Sequence, residues 1–500
     1  MSTIKKFAGQ TAIYGLSTII SRSLYFVLTP IYVGTLPTSI YGIFTKLYSW
    51  ASLINAVLAF GMETTFFRYL NKYEHDKDKV YSNSFFTVAL LALLFLTGTL
   101  CFVNDIAAWL QKGHGDTYAD YTYYVKCFIY ILVVDAVCVI PFAKIRADGR
   151  PMRYSVVKFL NILFVVGLNL FFLFGIPLMI KHQLAGWEWM QQWYKPKWVG
   201  YIFLSNLMAS LLTFVLLLPE FFKLKLRFDF AMFKNMLYYS GPILVANISF
   251  IINENLDKIL LDRRLPAAIS DQQLGIYAAG CKIAMFLSIF VQAFRLGAEP
   301  FFFSHAKSKN SGETYARIMN YFVIAVSVIF VAIVANVEIL KYFIKGDQAH
   351  RQLYWSGLDV VPLLLFGYLS LGIYMNLSVW YKLSDQTRYG LYISGVGAIL
   401  TIALNWIFIP KYSYMASAWA SLIAYATMMV LSYVWGQKNY PIPYNLKKNL
   451  AYIIASIVTV FLSFHVFNRN IFIGNALLIL FALSTFYVER KELLLLFKKK

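Results

Sequence analysis

Stretches of about 20 apolar residues recur along the whole chain, long enough for each to cross a bilayer as one α-helix. In lipid every backbone N–H and C=O must find its partner within the spanning structure, which leaves helices or a closed β-barrel. A barrel would need strands of about 10 alternating residues, and that alternation is absent. The apolar pattern predicts fourteen spans, at roughly 9–32, 39–62, 82–103, 121–143, 154–177, 198–219, 237–260, 274–298, 319–343, 357–380, 390–409, 414–435, 449–467 and 470–488. Only Asn468–Asn470 separates the last two. With 59% hydrophobic and 14% charged residues, there are too few charges to cover a soluble core of 500 residues. The expected class is an all-α integral membrane protein.

One membrane-buried stretch occurs twice. Ile40 to Phe67 matches Ile276 to Phe303 without a gap, at a constant offset of 236. The identical pairs are Ile40/Ile276, Tyr41/Tyr277, Lys46/Lys282, Ser52/Ser288, Gly61/Gly297, Glu63/Glu299, Phe66/Phe302 and Phe67/Phe303. Apolar composition produces chance Leu and Ile matches, but not a paired lysine and a paired Gly-x-Glu-x-x-Phe-Phe. The offset covers an even number of spans, so the two copies share one orientation. This is the parallel-repeat arrangement of transporters, whose substrate site lies where the halves meet. The expected architecture is two six-helix bundles related by a parallel pseudo-twofold axis, plus two C-terminal helices. Its divisions are an N-terminal lobe at 1–220, a C-terminal lobe at 221–440, and appended spans with a basic tail at 441–500.

The net charge of +21 would suggest nucleic acid in a soluble protein. Here it follows topology. With the N-terminus inside, about 27 of the 45 Lys and Arg residues fall in inside loops and tails, about 12 outside and about 6 in spans. Both termini are therefore expected in the cytoplasm, with attraction to anionic lipid as a side effect. The first apolar segment contains Arg22 and lacks a small-residue cleavage site, so it is expected to remain as a span. Cys101, Cys127, Cys138 and Cys281 all fall in spans, without disulfide or metal-ligand spacing. The loops are short, and none could house a catalytic domain of about 50 residues.

Ionisable groups inside a bilayer are costly unless they face water or a partner, so each is a functional suspect. Arg22 lies near the middle of span 1. Lys46 and Lys282 lie about two turns in from the outer ends of spans 2 and 8. Lys126 and Asp135 are in span 4, Lys158 in span 5 and Arg295 in span 8. Arg22, Lys46, Lys282, Lys126, Lys158 and Arg295 together suggest a cationic cavity wall suited to phosphate, which arginine grips with two parallel bonds and lysine meets as a point charge. The competing readings are snorkelling for Lys126, Lys158 and Arg295, and an intramembrane salt bridge, for instance to Asp135, for Arg22, Lys46 and Lys282. Asp135, Glu254 and Asp257 are candidates for proton or sodium coupling; the span-7 acids also read as ordinary loop-edge charges beside Lys258. The repeated Glu63 and Glu299 fall at the inner ends of spans 2 and 8, where gating or closure of the inner mouth through a salt bridge suits them better than substrate contact. Pro30, Pro141, Pro242, Pro300 and Pro362 interrupt or end spans, which suits a bundle that bends.

Trp187, Trp189, Trp193 and Trp198 crowd one outside loop, as an interfacial aromatic belt would; a sugar-stacking platform is the sharper alternative. No P-loop, G-x-S-x-G elbow or clustered metal ligand is present. His114, His182, His350 and His465 are scattered. The chain does not read as an enzyme, and no cofactor or metal is implied.

Several short motifs stand in a telling order. Tyr14, Gly15 and Arg22 lie in the first span, which ends in Thr29-Pro30-x-Tyr32; Tyr41 to Phe44 (Tyr-Gly-Ile-Phe) opens the second; Asp148-Gly149-Arg150 follows the fourth. This resembles the Wzx-like polysaccharide-biosynthesis flippases of the multidrug/oligosaccharidyl-lipid/polysaccharide (MOP) exporter superfamily, across the whole chain. The resemblance implies a bacterial inner-membrane flippase. It would carry undecaprenyl-diphosphate-linked oligosaccharide to the periplasmic leaflet by alternating access, for lipopolysaccharide O-antigen or another surface polysaccharide. The implied partners are that lipid, membrane lipids, a coupling ion and polysaccharide-assembly proteins. A drug antiporter or a peptidoglycan-precursor flippase of the same superfamily is the alternative, with a membrane glycosyltransferase or polymerase further off.

Overall fold

The structure is a computed structural model. It describes residues 26 and 28–497, apart from 74, 112–115, 226, 306–309, 345–349 and 385, and apart from the side chains of 71, 296–297, 299–300, 303–305 and 491–497. Arg22 and most of the first span lie outside the described residues, as does the side chain of Glu299.

No strand occurs among the described residues. Among the described residues thirteen helices are long and apolar enough to cross a membrane, and they take up expected spans 2–14 one for one. Span 2 is Thr38–Leu70, span 3 Lys77–Cys101, span 4 Tyr118–Ala147, span 5 Pro151–Lys181, span 6 Gly200–Phe221 and span 7 Phe230–Arg264. Span 8 is Ala267–Arg295, span 9 Ser311–Ala335, span 10 Arg351–Leu383, span 11 Arg388–Tyr412, span 12 Tyr414–Asn439, span 13 Leu446–Val466 and span 14 Ile471–Arg490. "Inner" and "outer" below follow the orientation that the loop charges predict.

The chain forms two compact units, one ending at Gly275 and the other beginning at Ile276. In the first, span 4 packs against spans 2, 3 and 6, span 5 lies along span 6, and span 7 runs along span 2. In the second, span 10 packs against spans 9 and 12, and span 11 along span 12. These are the same neighbour relations shifted by six spans: 3 with 4, 4 with 6 and 5 with 6 become 9 with 10, 10 with 12 and 11 with 12. Each half has thus found one packing solution for one pattern of apolar faces. The last two spans both lie on span 9, where Asn336 and Asn475 exchange amide hydrogen bonds of 3.2 and 3.1 Å. At the other end of that pair, buried Glu489 accepts from Lys448 Nζ at 2.8 Å and from the Tyr452 hydroxyl at 2.7 Å.

Packing divides the chain later than the repeat boundary at 220/221, inside the helix Ala267–His305. Copying of sequence and choice of packing partner are separate matters: span 7 pairs with span 2 and takes the start of span 8 with it. The two copies of the repeat also differ in conformation. Span 2 breaks at Phe60 and Gly61, both left-handed at φ 49° and 65°. A side chain at Gly61 would be strained, and its Cβ would lie 2.9 Å from Ile243. The helix holding the second copy runs unbroken through Gly297. The two glycines therefore do not do the same work.

Candidate functional site

Two constellations of polar side chains lie inside the first unit. The outer one is built by a helix crossing. Spans 2 and 8 meet at Gly42 and Gly275, so closely that a Cβ on Gly42 would lie 1.8 Å from the Asp271 carbonyl oxygen, and one on Gly275 would lie 1.9 Å from that of Thr38. Only glycines permit such backbone contact. The crossing carries Lys46, one turn beyond Gly42, against the outer ends of spans 7 and 8. Its ammonium lies 2.8 Å from Asp271 Oδ1, 3.3 Å from Asp262 Oδ1 and 3.2 Å from the Tyr121 hydroxyl of span 4. Lys46 and Asp262 are fully buried. Arg263 contributes its Nε, 3.4 Å from Asp262 Oδ2, and its guanidinium stacks 3.5 Å from the Trp109 ring centroid. Two carboxylates thus face one ammonium and one guanidinium, and the cluster is neutral as a whole. That balance lets four ionised groups stay buried together.

The alternative reading of Lys46 as a member of an intramembrane salt bridge is the one its geometry fits, with a different partner from the Asp135 considered. Asp262 and Asp271 were not singled out in the sequence. At span ends they look like ordinary loop-edge acids, and only the crossing turns them inward.

Nearby, Asp116 in the connection between spans 3 and 4 accepts from the Tyr124 hydroxyl at 2.8 Å. Burial pushes its carboxyl above the ordinary 3.8. The folded state therefore binds a proton more readily than the unfolded one, a contribution to stability that is full below the unfolded value and lost as pH rises through the raised one. Asp116→Asn should flatten that slope in thermal unfolding as pH rises above the ordinary 3.8; an unchanged slope would remove Asp116 from the account.

The inner constellation is a chamber of about 550 Å³ enclosed by spans 2, 4, 5 and 6, within the usual size range of ligand sites. Helical periodicity lines it. Asp135, Cys138, Phe142 and Arg146 recur at spacings of three and four along span 4, Tyr154, Lys158 and Asn161 along span 5, and Asn206, Ser210 and Thr213 along span 6. Ser210 and Asp135 both line the chamber. The Lys158 ammonium sits 4.3 Å over the Phe142 ring. Asn161 Nδ2 donates to Thr213 Oγ1 at 2.9 Å and to the Ala209 carbonyl at 3.0 Å. At the inner end Arg146 Nη2 meets Glu63 Oε1 at 2.6 Å. Glu63 thus pairs with Arg146, while Arg68 lies 4.0 Å from the Tyr239 ring centroid. Lys158 and Arg146 are offset by Asp135 and Glu63, so the chamber is amphoteric, rich in amides and hydroxyls, and aromatic at Tyr48, Phe142 and Tyr154.

The remaining suspects disperse. Lys126 is exposed at the outer end of span 4 and Lys282 is half-buried in span 8. Glu254 is exposed, and its carbonyl accepts from Lys258 Nζ. Asp257 is buried, with the same ammonium 3.0 Å away. Arg295 lines a separate pocket in the second unit. Of the five expected cationic residues that are described, only Lys158 lines the chamber. The uncharged stripe of Asn161, Asn206, Ser210 and Thr213 went unnoticed because attention to charge overlooks amides. A count of polar residues at three- and four-residue spacing would have found it. The Asp148-Gly149-Arg150 turn serves structure: Gly149 has φ 65°, and Arg150 grips fully buried Glu220 through both nitrogens at 2.9 and 2.7 Å.

A family model described as "Polysaccharide biosynthesis protein" matches residues 7–298, more than half the chain. The chain belongs to that family. A second model, MatE, matches residues 242–407. No curated protein sequence matches. Among solved structures, one titled "Lipid II flippase MurJ, inward closed conformation" superposes with a TM-score of 0.71 at 13% identity, covering 96% of this chain and 100% of that one. A multidrug resistance MATE family transporter of the MOP superfamily, in an inward-facing conformation, gives 0.65 at 12%, covering 85% and 97%. An outward-facing structure of such a transporter gives 0.60 at 12%, covering 86% and 95%. These identities establish a shared fold. The family member described here is a multi-pass membrane protein that shares the fold of these transporters and of the flippase.

Proposed function

We propose that this protein is a flippase for a lipid whose head group carries phosphate and sugars, moving it from the cytoplasmic to the outer leaflet of a bacterial inner membrane by alternating access. The observation that carries this reading is the lining of the 550 Å³ chamber. Amides, hydroxyls and a carboxylate between aromatic rings are what sugar hydroxyls and sugar faces require, and the site contains no excess of charge to favour a simple ion. The family match supports the lipid-linked saccharide as cargo. Arg22, Lys282 and Lys126 remain proposed phosphate contacts along the path. Asp135, facing the chamber beside Ser210, is the proposed proton or sodium site in preference to Glu254 and Asp257. Glu63 with Arg146 is the proposed inner latch, and Glu299 its counterpart in the second copy.

The test is sidedness of a fluorescent undecaprenyl-type diphosphate oligosaccharide in proteoliposomes, with and without an ion gradient. Protein-dependent translocation is expected, reduced at least about tenfold in Asn161→Ala/Asn206→Ala, as the loss of two neutral hydrogen bonds implies, with the thermal midpoint held within a few degrees. Unchanged translocation in the variant would move the sugar site elsewhere. A peptidoglycan precursor flipped in preference would change the cargo. The MatE match over residues 242–407 makes organic-cation efflux the second reading, which a fluorescent cation in the same vesicles would reveal.

A further inference from the structure

The outer loop between spans 5 and 6 is a folded element, and its exposed face has no part in the chamber. Lys181 and His182 at its start and Lys195 and Lys197 at its end are exposed, which puts it outside the hydrocarbon. Within it Trp187–Trp193 forms a short helix. The inner side of that helix is clamped. Met190 and Tyr194 pack on Phe172 and Tyr201, and the Tyr194 ring stacks 5.3 Å from that of Tyr201. The Tyr194 hydroxyl donates to the Phe172 carbonyl at 3.2 Å. Just beyond, Lys195 Nζ and Trp198 Nε1 both donate to Asp120 Oδ1 at 2.9 Å.

Of the loop's four tryptophans, Trp187 and Trp198 are half-buried. At about 100° per residue, the face turned away from the protein carries Glu188, Trp189, Gln192 and Trp193, all four exposed. Trp189 is 63% exposed, and its ring centroid lies 5.3 Å from that of Trp193, the rings inclined at 67°. The pair makes a corner, with a carboxylate and an amide set among the rings. An interfacial belt would cover the indoles with acyl chains, and would then strip water from Glu188 and Gln192 without return. A sugar ring suits the whole face. Its C–H side packs on an indole, and its hydroxyls donate to the carboxylate and exchange hydrogen bonds with the amide. Because the helix is already held in place, little ordering remains to oppose binding.

The loop runs on into an open recess of about 450 Å³, lined by Tyr194, Pro196 and Lys197 with Leu173, Ile180 and Lys181. That is the size of a ligand site. Tyr194 joins it to the corner, its ring centroid 6.5 Å from that of Trp193. The recess has room for further sugar rings, and its lysines suit the carboxylate of an acidic one.

We propose that Glu188, Trp189, Gln192 and Trp193 form a saccharide-binding site on the outer surface, continued in that recess and distinct from the chamber. It rests on the flippase reading only for the origin of the sugar, since a glycan already outside the membrane has the same chemistry.

The test uses the purified full chain, labelled, in a detergent without a sugar head group, on an array of neutral and acidic bacterial-polysaccharide oligosaccharides. At least one should be retained. Trp189→Ala/Trp193→Ala should weaken that binding about tenfold or more and Trp189→Phe/Trp193→Phe less, with the thermal midpoint nearly unchanged because both rings are exposed. Stronger competition by the lipid-linked form than by the same free sugar assigns the site to the cargo; equal competition assigns it to glycan already outside. A second measurement needs no ligand. In vesicles, the fluorescence that the parent has over Trp189→Phe/Trp193→Phe should be quenched by aqueous acrylamide and spared by phospholipids brominated on their acyl chains. Retention of no oligosaccharide, retention that the alanine variant leaves unchanged, or quenching by the brominated chains would overturn the inference, the last by making the rings a membrane anchor. Glycan binding intact in a protein that translocates no lipid would sink the flippase reading alone.

Discussion

Gly42→Ala and Gly275→Ala are each expected to destabilise the protein by about 1–3 kcal/mol or more, the range of overpacked cores, and to open the outer ion cluster. A methyl group at either position must move from under 2 Å to beyond 3.0 Å from a backbone carbonyl oxygen. Backbone cannot swing aside as a flexible side chain does, so spans 2 and 8 must separate. That separation stretches the 2.8 Å bond between Lys46 and Asp271. The readouts are the thermal midpoint in detergent and labelling of Ser49→Cys by a water-soluble maleimide, in a background without the four natural cysteines. Ser49 is 3% exposed and should be protected in the parent. Labelling several-fold faster, with a lowered midpoint, is the expected result. An unaltered midpoint and unaltered protection would show that the crossing is not held as described.

Replacing Lys46 should have the second large effect. Lys46→Met leaves Asp262 and Asp271 buried without their ammonium, and breaking a buried pair in this way costs about 3–5 kcal/mol. The deficit should be largely recovered in Lys46→Met/Asp262→Asn/Asp271→Asn, because the uncompensated charges are then gone. A double-mutant cycle between Lys46 and Asp271 should show strong coupling. If Lys46 instead served only as a phosphate contact, Lys46→Met would keep its midpoint and lose translocation alone. The acid-to-amide changes would then rescue nothing. Stability and flux together therefore separate the two roles of one residue.

Much of this molecule could be read along the chain. The spans were legible because lipid forces each segment to satisfy its own backbone, and the repeat was legible because identical ionisable residues do not recur by chance. The amphipathic stripes of the chamber were present too, in Tyr154, Lys158 and Asn161 and in Asn206, Ser210 and Thr213, though hidden by their lack of charge. Lys46 shows the opposite case. Its depth in span 2 marked it as significant, but nothing in the sequence stated whether it would meet solvent, cargo or a carboxylate.

The sequence by itself determined the membrane, the number of spans and the two-copy plan, since each follows from local composition and periodicity. Only the tertiary structure decided which charges cancel. Asp262 and Asp271 reach Lys46 because two glycines let helices distant in sequence touch. Arg295 and Asn376 share a pocket because spans 8 and 10 pack side by side. Coulomb energy and hydrogen bonding depend on separations of a few ångströms between such distant segments, and a linear pattern does not contain those separations.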